Sequence, residues 1–346
     1  MSALIPATIL TGFLGSGKTT LLNRVLNEAH GSKIAVIENE FGEENIDSEI
    51  LVRETGEQIV QMSNGCICCT IRDDLRATLA DLAARRRKGE IAFDRVIIET
   101  TGVADPGPVA QTFFMDDEVA SQYMLDAILT LVDAKNADQQ LDTRQEARRQ
   151  VGFADRIFIS KADLVDAEAL AELRHRLAHM NPRAKQSAVH FGDVPLAEVL
   201  DLKGFNLNAR LDIDPDFLAA DEQDHDHDHA HDHEHGEHCD HPHHHHYDDD
   251  VKSFVFRADK PFDPAKLEDF LGAIVQVYGP RMLRYKGVLD MLGLDRKVVF
   301  QGVHQLMGSD LAAPWGNEPR QSKLVFIGID LPRDVILQGL EQALTA

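Results

Sequence analysis

The 346-residue sequence lacks features that mark several classes of protein. No apolar run approaches the 18 or so residues of a membrane-spanning helix, so no membrane partner is expected. Residues 1–6 lack the basic region that opens a secretory signal peptide, and we expect a cytoplasmic protein. Cysteine is scarce, with four in the chain. In a cytoplasmic chain these thiols indicate metal or redox chemistry before disulfides.

Basic residues are also in short supply. The net charge of -23 argues against nucleic acid as a partner. About half of that excess lies in residues 221–250, which hold twelve Asp or Glu and no Lys or Arg. The remainder of the chain is only moderately acidic.

The pattern of apolar residues predicts two folded units. Strands and helices alternate over residues 1–204, which is typical of an α/β fold with a mostly parallel sheet. Periodicity is lost over residues 205–250, where His, Asp and Glu dominate and a disordered linker is expected. Residues 251–346 predict a small α+β domain in the order βαβββα, with a largely antiparallel sheet.

The strongest motif is Gly12-x-x-x-x-Gly17-Lys18-Thr19, between an apolar run and a helical pattern. This is the setting of a phosphate-binding loop, or P-loop. Glycines allow several backbone N–H groups to point at one anion, Lys18 reaches the β- and γ-phosphates, and Thr19 holds Mg²⁺. We therefore predict a P-loop NTPase, with nucleotide bound by Gly12, Gly15, Ser16, Gly17, Lys18, Thr19 and Thr20.

A second element, Ser160-Lys161-Ala162-Asp163, follows a predicted strand and resembles the base-reading element of P-loop GTPases. A carboxylate at Asp163 accepts from both N–H donors of guanine and is repelled by the N1 acceptor of adenine, so GTP is expected. Lys161 would lay its stem along the base. Ser160 stands where Asn is commoner, so its hydrogen bond is expected to be short-armed or missing. The alternative is a helix cap at Asp163.

Glu99-Thr100-Thr101-Gly102 also ends a predicted strand. Such a position commonly supplies an acidic residue for Mg²⁺ and a glycine N–H for the γ-phosphate. We expect Glu99 to bind Mg²⁺, and Gly102 to bind nucleotide. A strand-terminal glutamate with no ligand is the alternative.

Three cysteines, Cys66, Cys68 and Cys69, lie within four residues. At a predicted helix start their thiolates favour Zn²⁺ or a similar ion, with redox thiols or inert buried cysteines as alternatives. The acidic run 38–44 occupies the usual place of the first GTPase switch; its carboxylates, with Asp47, are candidates for a further ligand, unless the run is a solvated loop. Twelve of the seventeen histidines lie between His225 and His246 and predict low-affinity capture of metal, with Cys239 among them.

The motifs GFLGSGKTT, ENEFGE, NGCICC, ETTG and SKAD occur in the order found in the CobW family of metal-chaperone GTPases, which the chain resembles closely over residues 1–204 and more loosely beyond. The resemblance implies GTP hydrolysis coupled to metal delivery, with Cys66, Cys68 and Cys69 matching the metal motif and Glu38 a position near it.

We therefore expect a GTPase with GTP, Mg²⁺ and Zn²⁺ (or Co²⁺), in which Lys18, Thr19 and Glu99 support hydrolysis. Its partner would be a client metalloprotein or a metal-cofactor assembly enzyme, while oligomeric state, a homodimer included, is left open. No activating glutamine or arginine can be assigned, so slow turnover is expected. A metal buffer or sensor that uses GTP as a regulatory ligand is the alternative function, and a small-molecule kinase is a third.

Overall fold

The computed structural model describes residues 4–28, 31–39, 59–62, 70–202, 204–205 and 249–345. Their strands form two sheets, one parallel and one antiparallel. This arrangement confirms the predicted α/β class with a small α+β unit after it. No helix in these ranges is both long and apolar enough to cross a bilayer.

The first sheet has seven parallel strands in the order β3-β2-β4-β1-β5-β6-β7. The strands are β1 (Ile5–Gly12), β2 (Ile34–Asn39), β3 (Ile59–Met62), β4 (Arg95–Glu99), β5 (Tyr123–Asp133), β6 (Arg156–Ser160) and β7 (Lys185–Val189). The helices are α1 (Lys18–Asn27), α2 (Thr70–Arg87), α3 (Pro106–Met115), α4 (Asp117–Ala120), α5 (Ala137–Thr143), α6 (Gln145–Phe153) and α7 (Ala167–Met180).

Apolar side chains on both faces explain why the central strands pair in parallel. On β4, Val96 and Ile98 pack into one core cluster, while Ile97 packs into another on the opposite face. Such strands form continuous aliphatic runs because neither face meets water. Their carboxyl ends lie at one edge of the sheet, which brings the loops after β1, β2, β4 and β6 together.

The second sheet has five antiparallel strands in the order β11-β10-β9-β12-β8. Its strands are β8 (Val251–Ala258), β9 (Met282–Leu289), β10 (Arg296–Val303), β11 (Leu306–Pro314) and β12 (Ser322–Ile329), and its helices are α8 (Pro264–Tyr278) and α9 (Arg333–Gln342). As predicted, Asp263 caps α8, accepting from the N–H groups of Ala265 and Lys266.

The predicted order βαβββα was wrong by one strand, because it omitted β11. This edge strand is largely exposed and contains Gly308, Ser309 and Asp310, so it has no alternating apolar face. Its place is set by pairing with β10 through a two-residue turn, which periodicity does not report.

The two sheets share a hydrophobic core. Helices α3, α6 and α7 lie between them, and Val255, Leu283 and Val303 of the second sheet belong to the same buried cluster as Ile128 and Phe153. The other face of the second sheet packs against α8 and α9. The second unit is therefore packed directly on the helices that flank the first sheet.

Candidate nucleotide and metal site

The loop between β1 and α1 wraps into a cradle of backbone N–H groups. Gly12, Gly15 and Gly17 have φ values of 144°, 74° and 97°, which side chains with a Cβ rarely adopt. A Cβ on Gly12 would also lie 2.4 Å from the carbonyl oxygen of Leu131. Helix α1 starts at Lys18 without a side-chain cap, so its first N–H groups are left for another acceptor.

Lys18 is buried beside this cradle. Its Nζ donates to the carbonyl oxygen of Gly12 at 2.9 Å and lies 3.4 Å from that of Phe13. Burial lowers the pKa of Lys18, while the nearby Glu99 carboxylate opposes the shift. Ser16 is also buried, and its Oγ has no hydrogen-bond partner among the described residues. A phosphate fits here because it would supply acceptors to the ammonium, the hydroxyl and the helix N–H groups together.

Two oxygen ligands meet at the start of α1. Thr19 Oγ1 donates to Glu99 Oε1 at 3.0 Å, across eighty residues of sequence. A hydroxyl and a carboxylate beside a phosphate cradle are the oxygen donors that Mg²⁺ prefers. The donor set therefore fits the predicted Mg²⁺ ion.

Glu38 lies on the strand next to Glu99. The two residues are register partners at the carboxyl ends of β2 and β4, and Glu38 is buried. Glu38 is the predicted metal ligand that lies in the described ranges. The other predicted ligands, Cys66, Cys68, Cys69, Asp47, Cys239 and the histidines from His225 to His246, lie outside them. Within those ranges, no group of three His, Cys, Asp or Glu side chains is arranged to hold a metal ion.

The loop after Glu99 touches the P-loop. A Cβ on Gly102 would lie 2.6 Å from Leu14 Cδ2 and 2.7 Å from the Leu14 backbone nitrogen. The loop ends at Asp105, which caps α3 by accepting from the Gly107 N–H at 2.8 Å. Glycine at position 102 lets the backbone approach the place where a γ-phosphate would lie.

The predicted base-reading element lies on the other side of the P-loop. Ser160 Oγ donates to the carbonyl oxygen of Ser16 at 2.7 Å, so the expectation that this bond would be missing was wrong. A short side chain suffices because β6 ends directly beside the loop. Lys161 has a φ of 55°, and its Nζ pairs with Asp133 at 2.6 Å. Asp163 lies inside a short 3-10 turn and does not cap it, which contradicts the helix-cap alternative.

Sequence reasoning missed a second wall of this region. His190 Nδ1 lies 3.3 Å from Asp163 Oδ1, and its ring packs edge-on against Phe191. Phe191 is 79% exposed with a φ of 45°, and a Cβ on the following Gly192 would lie 3.0 Å from Leu21 Cα. An aromatic residue held in a left-handed turn was the available signal, and the histidine alone carried none.

A cavity of about 480 Å³ lies elsewhere, between the start of β2 and the end of α2. Its lining includes Lys33, Arg86 and Phe93. These residues precede the strands, whereas the P-loop follows a strand. The cavity therefore lies at the opposite edge of the sheet and is not part of this site.

A parallel sheet whose first strand leads into a lysine-bearing cradle defines a P-loop nucleotide-binding protein. Residues 6–188 match the model of the CobW/HypB/UreG nucleotide-binding domain. Residues 251–344 match that of the cobalamin synthesis protein cobW C-terminal domain. The chain belongs to the CobW family.

Similar proteins are known from several organisms. The chain is 41% identical over 335 residues to the zinc chaperone YjiA of Escherichia coli strain K12, with 96% of each chain covered. It is 33% identical to the zinc chaperone CobW of Pseudomonas aeruginosa, covering 99% of this chain and 92% of that one. The crystal structure of Zn(II)-bound YjiA GTPase from E. coli is similar with a TM-score of 0.78 and 36% identity, covering 99% and 100% of the two chains.

Proposed function

We propose that this protein is a cytoplasmic GTPase that carries a divalent transition metal to a client metalloprotein or to a metal-cofactor assembly enzyme. Zinc is the proposed cargo, with cobalt as the alternative. Support comes from relatives named as zinc chaperones and from a similar structure named as a Zn(II)-bound GTPase.

The observation that carries the proposal is the pairing of two carboxylates across neighbouring strands. Glu99 contacts Thr19 at the P-loop, and its register partner Glu38 is a proposed ligand of the cargo metal. Adjacent parallel strands lie about 5 Å apart. A shift of β4 caused by the terminal phosphate would therefore be felt at Glu38 through the strand pairing.

Hydrolysis needs little covalent chemistry from the protein. Water forms a bond to the γ-phosphorus, the bond from that phosphorus to the β,γ-bridging oxygen breaks, and GDP and phosphate result. Lys18 would neutralise charge developing on the bridging oxygen, while Thr19 and Glu99 would hold a Mg²⁺ ion, which neutralises charge on the β- and γ-oxygens. The Gly102 N–H would donate to the γ-phosphate.

Guanine selection is assigned to Asp163. Its carboxylate would accept from N1–H and the 2-amino group, with Ser160 tying this element to the P-loop. We propose that Lys161 orients this turn through its ion pair with Asp133.

The variant Asp163→Asn tests base reading. An asparagine amide accepts from N1–H but donates at position 2, so it matches the 2-oxo group of xanthine and mismatches guanine. The ratio of kcat/KM for GTP to that for XTP should fall by at least about 100-fold, which is two unfavourable contacts at about 1.4 kcal/mol each. Asp166→Asn, which alters the cap of α7, is the control. An unchanged ratio would remove Asp163 from the base site.

Metal would be held by the thiolates of Cys66, Cys68 and Cys69 together with Glu38. Thermodynamic linkage then requires that GTP and GDP alter metal affinity, and that metal alters nucleotide affinity by the same factor. Competitive zinc and cobalt titrations of the full chain, with GDP and with a non-hydrolysable GTP analogue, measure both factors.

The histidines between His225 and His246 are proposed to capture metal weakly. Deleting residues 224–246 should lower the number of ions bound while sparing basal GTP turnover and the nucleotide-dependent site. Cys66→Ser with Cys68→Ser should remove that tight site. If several ions bind with affinities indifferent to nucleotide, the protein is a buffer and not a chaperone.

A further inference from the structure

The loop between Glu99 and α3 is held from below by α6. Gln150 Nε2 donates to the carbonyl oxygens of Gly102 and Ala104 at 3.1 and 3.0 Å. Gln150 is buried, and its own backbone carbonyl accepts from Thr130 Oγ1 at 2.8 Å, so the anchor is tied to β5. The position of the Gly102 backbone therefore depends on a side chain 48 residues away.

The end of the same loop is paired with α6 and enclosed by the second sheet. Arg149 Nη1 lies 2.7 Å from Asp105 Oδ2, beside the cap of α3. A Cβ added to Gly107 would lie 2.5 Å from His304 Nε2 and 2.8 Å from Phe153 Cζ. Helix α3 thus begins in a space that His304 bounds directly.

His304 is itself held firmly. It occupies the turn between β10 and β11 with a φ of 52°, and its backbone N–H donates to the Met282 carbonyl oxygen at 3.0 Å. Tyr285 OH donates to the His304 carbonyl oxygen at 3.1 Å, and the imidazole packs edge-on against Phe153 with ring centroids 5.1 Å apart. Burial lowers the pKa of His304, with Asp105 opposing, so the ring is neutral at pH 7.

We propose that His304 and Gln150 are positioning residues for GTP hydrolysis, through which the second domain sets the place of the Gly102 backbone at the γ-phosphate. The inference rests on the proposed GTPase function and assigns the second domain a part in it. Gln150 fixes the middle of the loop, and His304 fixes its end by limiting where α3 begins. Neither residue contacts the nucleotide.

This arrangement predicts a defect in turnover and not in binding. The P-loop, Lys18 and the base-reading element hold the ground state, whereas the Gly102 N–H is needed where charge develops. In His304→Ala, kcat should fall about 10-fold with a change in the KM for GTP below about 3-fold, since displacement of about 1 Å at such a site costs up to about 100-fold in rate.

The test compares full-length variants in steady-state GTP hydrolysis and in binding of a fluorescent GDP analogue. His304→Gln keeps a neutral side chain with an N–H donor and should recover more than half of the lost kcat. Arg320→Gln is the control: it removes ion pairs to Asp290 and Asp295, at the end of β10 remote from His304. It should lower thermal stability with kcat within about 2-fold of the parent.

Gln150→Met provides a second, independent measurement because it keeps the side-chain length and removes both donors. It should lower kcat by at least about 10-fold with little change in GDP affinity. Wild-type kcat in folded His304→Ala and Gln150→Met would overturn the inference. Absence of GTP turnover in the parent protein would instead overturn the proposed function.

Discussion

The nucleotide end of the parallel sheet and the contact between the two sheets bury charge in different ways. At the nucleotide end, buried Lys18 has two loop carbonyl oxygens as its hydrogen-bond acceptors. At the contact, Arg284 donates to Asp155 at 2.6 Å, with Arg183 at 3.7 Å from the same carboxylate oxygen. The first region keeps charge ready for an anion, while the second supplies the anion itself.

The difference separates activity from stability. A buried ammonium with only carbonyl partners costs folding energy, which a phosphate can return on binding. The guanidinium of Arg284 is desolvated too, and burial lowers its pKa to about 10 despite Asp155. Because a carboxylate already compensates it, the contact contributes to holding the sheets together. Mutations in the two regions should therefore have opposite signatures.

The largest expected effect follows from Asp155→Ala. It removes the carboxylate that faces two buried guanidinium groups and also accepts from the Ile128 N–H at 2.9 Å. The free energy of unfolding should fall by about 3–5 kcal/mol, measured by urea denaturation of the full chain. Because the sheets share one core, we expect a single transition.

The control for that measurement is Asp193→Ala, which removes a surface pair with Arg24. Its cost should be about 0–1 kcal/mol. Equal losses in the two variants would mean that the buried cluster does not stabilise the contact.

Lys18→Ala should show the opposite signature. GTP turnover should fall by about 100- to 1000-fold, as when one charge-stabilising donor is lost, while the thermal midpoint stays the same or rises, because a desolvated ammonium is removed. Phosphate release and thermal unfolding measure the two effects. Lys33→Ala, an exposed lysine at the opposite sheet edge, controls for net charge. Full turnover in Lys18→Ala would contradict the P-loop assignment.

A smaller, pH-dependent effect is expected at Asp250, which joins the second sheet to α6. Burial opposes ionisation there, but hydrogen bonds from Arg148 and Gln145 lower the pKa of Asp250 overall. A lowered carboxyl pKa contributes stability above the unfolded value of about 3.9, and that contribution is lost as pH falls through the folded value.

Asp250→Asn should accordingly lower the free energy of unfolding near pH 6 and have progressively less effect as pH falls below about 4. Urea denaturation of the parent and the variant between pH 3 and pH 6 measures this. A difference that is constant across that range would show that the effect of the substitution is not ionic.

Most of the central strands and long helices could be predicted from sequence, since their signals are local. Val96 to Ile98 form a continuous aliphatic run, and α8 starts at Asp263 with the expected cap. The missed β11 has no such signal, because its pairing with β10 and not its own side chains sets its place. Polar β7 was missed for a similar reason.

The candidate site divides in the same way. Glycine spacing, a lysine at the helix start and an acidic residue at a strand end are chain-local patterns, so Lys18, Thr19, Glu99 and Asp163 were proposed from sequence. The short arm of Ser160 was misjudged because its length means nothing until the separation between β6 and the P-loop is known.

By itself the sequence determined where backbone must bend, which segments must be buried and which side chains carry phosphate, guanine and metal chemistry. Only the tertiary structure decided that Gln150 reaches the loop after Glu99 and that His304 bounds the start of α3. The physical reason is that such contacts join residues tens to hundreds of positions apart, and their distances exist only after both sheets have packed on the same helices.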